Sequence, residues 1–162
     1  MQNLKSCEYN ILDEDVLLAH KVWGGRHLTR EETEFLLKEV RTARFCSHNN
    51  DETIHAAPVW FKYESGEIVI LTPENSRKAR NVKRNKEVSI IIDVEKPPRG
   101  VLIYGKAELD TEFALKSTAI WLCEKYMSNE KAKDKWRSAV PPATNWLKIT
   151  VKPERMASFD YG

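Results

Sequence analysis

The chain has 162 residues, 41% of them hydrophobic and 31% charged, with 26 basic against 24 acidic residues and a net charge of +2. That balance describes one globular domain and excludes a disordered, fibrous or globally polyanion-binding chain. No run approaches the roughly 18 apolar residues of a membrane span, no secretory pattern opens the chain, and the cysteines (Cys7, Cys46, Cys123) are odd in number, so a cytoplasmic protein with free thiols is expected.

Residues 1–28 carry scattered apolar positions and the break Trp23-Gly24-Gly25-Arg26, which predicts an extended N-terminal arm with one short turn of helix. A single domain is expected over 29–162. Thr29-Arg30-Glu31-Glu32 has the form of a capping box, in which a hydroxyl and a carboxylate three residues later satisfy the free amides of a helix start. The helix is predicted over Thr29 to Ala43, with Phe35, Leu36, Val40 and Ala43 as the face laid on a sheet.

From Arg44 to Val94 the texture is that of strands. Arg44 to Ser47 reads as a short strand, Asn49-Asn50-Asp51 as a turn, and Thr53 to Tyr63 as one long strand. Beyond the Ser65-Gly66 turn, Glu67 to Thr72 is almost wholly apolar and is predicted to be buried on both faces. Pro73-Glu74-Asn75-Ser76 is a helix-start signal for a helix over Ser76 to Asn85. Strands follow at Glu87 to Val94 and Gly100 to Leu109, then helices from Thr111 and over Asn129 to Ser138, ended by Pro141-Pro142, and two closing strands around Trp146 and Met156. A regular alternation of strand and helix is absent, which favours an antiparallel sheet or barrel over a doubly wound parallel sheet.

One junction carries chemistry. Leu71-Thr72-Pro73-Glu74-Asn75-Ser76-Arg77-Lys78 hands a buried strand to a helix start that offers unpaired amides, hydroxyls and two adjacent cations, the parts of a phosphate site. By charge alone the ordinary reading is a solvated basic face, since six of the ten residues from Arg77 to Lys86 are basic. A nucleic-acid stripe would need interleaved aromatic residues for stacking, and none lie there, so no nucleic-acid partner is expected. His55, Lys62 and Tyr104 are the candidate acids or bases. Cys46, His48 and His55 lack metal-ligand spacing, and no metal is expected. Trp121, Cys123 and Tyr126 read as helix packing.

The run Ser76-Arg77-Lys78-Ala79-Arg80-Asn81 after a strand ending in Thr72, together with Pro58-Val59-Trp60-Phe61, Tyr104-Gly105-Lys106-Ala107-Glu108, Trp146 and Val151-Lys152-Pro153, resembles the pyridoxamine 5′-phosphate oxidase-like split-barrel family in order along the chain. The resemblance implies a mainly β fold, a six-stranded antiparallel split β-barrel with flanking helices, acting as a homodimer with flavin mononucleotide (FMN) at the subunit interface. It implies phosphate contacts from Thr72, Ser76, Arg77 and Lys78. It also implies that Ala57, Pro58, Val59 and Trp60, with Lys62, lie along the isoalloxazine ring. Gly100 stands where the oxidases have a glutamine that reaches the flavin, and Trp146 matches a tryptophan supplied by the partner chain.

The oxidases also carry a basic Arg-x-His tail that grips the substrate phosphate, whereas Asp160-Tyr161-Gly162 follows Phe159 here. The expectation is therefore an FMN-dependent oxidoreductase of unspecified small-molecule substrate, away from vitamin B6 chemistry. Three alternatives stay open: a deazaflavin-dependent reductase, a non-catalytic flavin protein, and a non-catalytic haem protein, the last two serving as carrier or sensor.

Overall fold

The computed structural model describes residues 8–9, 14–138 and 145–162. Cys7 and the Pro141-Pro142 helix stop lie outside them. In chain order the elements are β1 (Glu8–Tyr9), α1 (Glu14–Trp23), α2 (Arg30–Lys38), β2 (Ala43–His48), β3 (Ile54–Val59), β4 (Lys62–Glu64) and β5 (Glu67–Pro73). Then come α3 (Arg77–Arg84), β6 (Glu87–Glu95), β7 (Pro98–Asp110), α4 (Leu115–Tyr126), α5 (Glu130–Ser138) and β8 (Trp146–Asp160).

Seven strands pair antiparallel in the order β3-β2-β6-β7-β8-β5-β4, and β1 adds a short parallel pairing to β8. β3 and β4 stand at opposite ends of that path, yet only Trp60 and Phe61 separate them in sequence. The sheet must therefore curl until its two ends nearly meet, which makes a barrel split along one side. Alternating residues fill it: Phe45, Phe61, Ile68, Ile70, Ile90, Ile92, Ile103 and Ile149 are fully buried.

The split-barrel expectation holds, and the element bounds differ for local reasons. The strand expected over Thr53 to Tyr63 breaks at Trp60-Phe61, because Phe61 turns into the core while Trp60 stays exposed. The two closing strands are one, β8, since the pairing with β7 shifts register at Tyr104/Gly105 opposite Pro153. A proline lacks the ladder N–H, and a bulge absorbs it. A side chain at Gly105 would meet the Lys152 carbonyl. The split and the fusion offset each other, so seven antiparallel strands and the short β1 stand against the six that the resemblance implies.

β5 buries one face through Ile68, Ile70 and Thr72, with Val69 and Leu71 half-buried on the other. α2 stops at Lys38, Leu36 and Leu37 form its buried face, Phe35 and Val40 are exposed, and Ala43 opens β2. The helix expected from Thr111 begins at Leu115. The N-terminal arm holds a ten-residue helix where one turn was expected, with Glu14 and Asp15 in its first turn and His20 and Lys21 in its last, both favourable to the helix dipole.

Two polar clusters fasten helices to the barrel. The Arg26 guanidinium donates to both Glu32 carboxylate oxygens at 2.8 Å and to Asp160 Oδ2 at 2.7 Å, so the start of α2 is tied to the end of β8. The capping box is present in full: Glu32 N–H donates to Thr29 Oγ1 and Thr29 N–H to the Glu32 carboxylate. The buried Asn81 amide of α3 donates to Ser47 Oγ on β2 and to Asn49 Oδ1, each at 3.1 Å. This fixes the roll of α3 against the barrel.

Replacing Asn81 by Leu leaves Ser47 Oγ buried without that partner and should cost about 1–3 kcal/mol; an unchanged denaturation midpoint would show that this bond does not hold α3. The Arg26 hydrogen bond, then the Thr29 amide, depress the Glu32 pKa from 4.5 to about 2. A depressed carboxylate stabilises the fold above its unfolded pKa, so this contribution should fade as pH falls from 4.5 toward about 2. In Glu32→Gln the melting temperature should lose that part of its acid dependence, and an identical acid limb would contradict the assignment.

Candidate functional site

The β5–α3 junction is organised by two hydroxyls. Ser76, in extended conformation, caps α3 by accepting from Ala79 N–H at 3.2 Å, and its Oγ shares a 2.8 Å hydrogen bond with Oγ1 of the fully buried Thr72. The strand end and helix start are thus locked together, leaving the Arg77 and Lys78 amides without carbonyl partners among the described residues.

Charge at this junction divides sharply. Arg80 donates to the Asn75 carbonyl, Lys83 pairs with Glu74 at 3.2 Å, and Arg84 donates to the His48 carbonyl. The side chains of Arg77 and Lys78 make no hydrogen bond or ion pair among the described residues, although the charge of Arg77 helps to lower the Asp51 pKa. Lys78 is half-buried, and desolvation holds its pKa below the ordinary lysine value. A partly desolvated cation without an anion is an unfavourable arrangement unless a ligand completes it. His55 on β3 senses the same field: burial first, then Arg77 and Lys78, push its pKa down.

Beside this pole lies a cleft of about 480 Å³, within the range of small-molecule and cofactor sites. It occupies the split of the barrel, between β3 and β5, which do not pair. Pro58, Val59 and Trp60 form one wall, Leu71, Thr72 and Pro73 the other, with Lys78 and Trp146 at the α3 side. Trp146 is placed there by its register opposite Pro73.

Of the residues expected at a site, Pro58, Val59, Trp60, Thr72, Lys78 and Trp146 meet around this cleft, the last from its own chain. Ser76 and Arg77 do not line it; Ser76 bonds to the lining Thr72, and Arg77 precedes the lining Lys78 in sequence. Ala57 does not line the cleft, although it precedes Pro58 on the same strand. Gly100 does not join it either: it pairs with Phe159 on β8, where a side chain would meet Phe159 and Asp93. Lys62 points elsewhere, pairing with Glu64 at 2.5 Å and standing over the Trp121 ring. Tyr104 lines a separate cavity of about 120 Å³ with Cys46 and His48.

The sequence reading missed the wall that α4 contributes. Ala119, Leu122 and Cys123 line the cleft, with Thr42 beside them. Their helical spacing reads as core, and no local signal shows which cavity such a face meets. α4 is pinned there by Tyr126, whose hydroxyl accepts from Phe61 N–H at 3.3 Å and lies 2.9 Å from the Arg41 carbonyl and 3.0 Å from that of Phe61. Its ring stacks on Trp60, with centroids 5.2 Å apart and planes 3° from parallel. Burial pushes the Tyr126 phenol up to about 12, so it remains a proton donor. The cleft thus offers one cationic pole, hydroxyl groups and an apolar slot. The Cys123 thiol there is held up in pKa by burial and by Glu124.

Solved structures share this fold. A conserved hypothetical protein from Mycobacterium tuberculosis is 24% identical with a TM-score of 0.69, the alignment covering 83% of this chain and 86% of that one. A structure described as an F420 reductase is 20% identical with a TM-score of 0.67, over 80% of this chain and 98% of the other. A pyridoxamine 5′-phosphate oxidase-related, FMN-binding protein from Nostoc punctiforme is 11% identical with a TM-score of 0.59, over 81% and 83%. No curated protein matches the chain. No helix among the described residues is long and apolar enough to cross a membrane. The family model for pyridoxamine 5′-phosphate oxidase matches residues 29–156, from the capped start of α2 to the middle of β8, and the chain belongs to that family.

Proposed function

We propose that residues 29–162 form one FMN-binding unit and that the protein is a cytoplasmic, homodimeric, FMN-dependent oxidoreductase acting on a small molecule. The observation that carries this reading is the half-buried, anion-free Lys78 beside Arg77 at the start of α3, opening onto the apolar slot. The phosphate would rest on Thr72, Ser76, Arg77 and Lys78, where helix amides and a guanidinium fork favour its charge. The flat ring would lie along Pro58, Val59 and Trp60. The exposed side chains of β3, Ile54, Ala56 and Pro58, sit on an edge strand with Trp60 just beyond its end, a surface that a second chain would cover.

A bound flavin supplies hydride chemistry, and the protein supplies position and electrostatics. Lys78 and the α3 amides hold the phosphate end, Trp60 and the α4 wall exclude water, and Trp146 closes the slot at the α3 side. The likeness to an F420 reductase supports a deazaflavin coenzyme as a second reading, with the same phosphate pole.

Purified protein should take up FMN with quenching of flavin fluorescence. A preparation that binds neither FMN nor F420 would refute both readings, and uptake of F420 alone would select the second. Arg77→Ala with Lys78→Ala removes two charge-assisted contacts, each of about 1.5–3 kcal/mol, and should weaken FMN binding about 100-fold or more. Because burial depresses Lys78, affinity should decline in alkali at a pH below that of an exposed lysine, and this decline should vanish in Lys78→Ala. Undiminished binding by the double variant would overturn the phosphate assignment.

A further inference from the structure

A second cation lacks an anion, at the opposite side of the α4 wall. The Lys125 ammonium is half-buried among three rings, 4.6 Å from the centroid of Phe61, 5.2 Å from Tyr126 and 5.3 Å from Trp121. Lys62 Nζ stands 5.1 Å from the same Trp121 ring. Ring faces attract an ammonium, but they leave its N–H donors without acceptors. No carboxylate or carbonyl among the described residues bonds to the Lys125 ammonium. The adjacent Glu124 is committed to Lys133 and Arg137, and Glu64 to Lys62. Two lysines against one glutamate leave one uncompensated positive charge.

The place of this charge is functional. Lys125 lies one helical turn beyond Leu122, which lines the cleft, and three-apart residues are neighbours on a helix surface. Tyr126 stacks on Trp60, which lines it as well. Lys125 does not itself line the slot; it forms a second, aromatic-walled pole beside the walls that Leu122 and Trp60 give to it.

We propose that Lys125, with Trp121 and Lys62 around it, binds the carboxylate of a flat, conjugated monoanion, the substrate class of the cleft. This rests on the flavin reading given above. A single spare charge matches a carboxylate better than a phosphate dianion, and the indole and phenol faces suit a conjugated body. Desolvation holds Lys125 down to about 8, as expected for an ammonium awaiting a counter-ion.

Benzoate, acetate and inorganic phosphate are the probes. With lysines ¹³C-methylated and the Lys125 signal assigned through Lys125→Met, benzoate should shift that signal and raise its pKa, with or without added FMN. Lys125→Met should weaken benzoate binding about tenfold or more, as loss of a charge-assisted contact predicts. Lys125→Arg should restore it. In the unmodified protein benzoate affinity should fall as pH rises through about 8, and Lys125→Arg should abolish that fall. Phosphate binding in preference to benzoate would overturn the ligand class, and a Lys125 signal indifferent to benzoate would overturn the site. FMN uptake should be unchanged in Lys125→Met. Benzoate binding without FMN uptake would count against the flavin reading alone, and FMN uptake without benzoate binding against this site alone.

Discussion

The two-residue step from Val59 to Lys62 constrains everything else in the molecule. It joins the two ends of a seven-strand path, so the sheet has no freedom to lie open. Phe61 drives inward and is fully buried, a contribution on the order of 2–3 kcal/mol. Trp60 is thereby left on the outer lip of the split. Tyr126 reads the result, bonding to both backbone groups of Phe61 while stacking on Trp60. One local break in a strand thus closes the barrel, opens the cleft and docks the helix that walls it.

The electrostatics of the cleft follow from what that closure leaves unpaired. Many cations among the described residues have partners: Arg26 two carboxylates, Lys83 Glu74, Arg137 Glu124 and Asp134. Exposed pairs of this kind contribute little to stability and are easily made on a surface rich in both signs. Against that background Lys78 and Lys125 differ, since both are partly desolvated and neither meets an anion. Burial depresses both; Lys78 lines the apolar slot, and Lys125 stands outside it, one helical turn beyond the lining Leu122.

Local signals and long-range ones separate clearly along this chain. The capping box at Thr29 and Glu32, the Ser76 cap, the bounds of α3 and the strands on either side of it were legible, because each depends on neighbours within four residues. The break at Trp60-Phe61 was not, since an aromatic pair continues a strand pattern equally well and only the destination of each ring decides otherwise. The fusion of the closing strands was hidden by Pro153, which reads as a stop until Gly105 on the neighbouring strand makes room for a bulge.

The sequence by itself determined the junction proposed to bind an anion, because phosphate recognition needs a strand end, a capped helix start and cations at adjacent positions. It determined the family through motifs in their order. Only the tertiary structure decided which of those residues share a cleft. Gly100 and Lys62 left it, while Thr42, Ala119, Leu122 and Cys123 entered. The physical reason is that a cavity wall is made where two surfaces fail to meet, and an apolar helix face carries the same pattern whether it meets a core or a ligand.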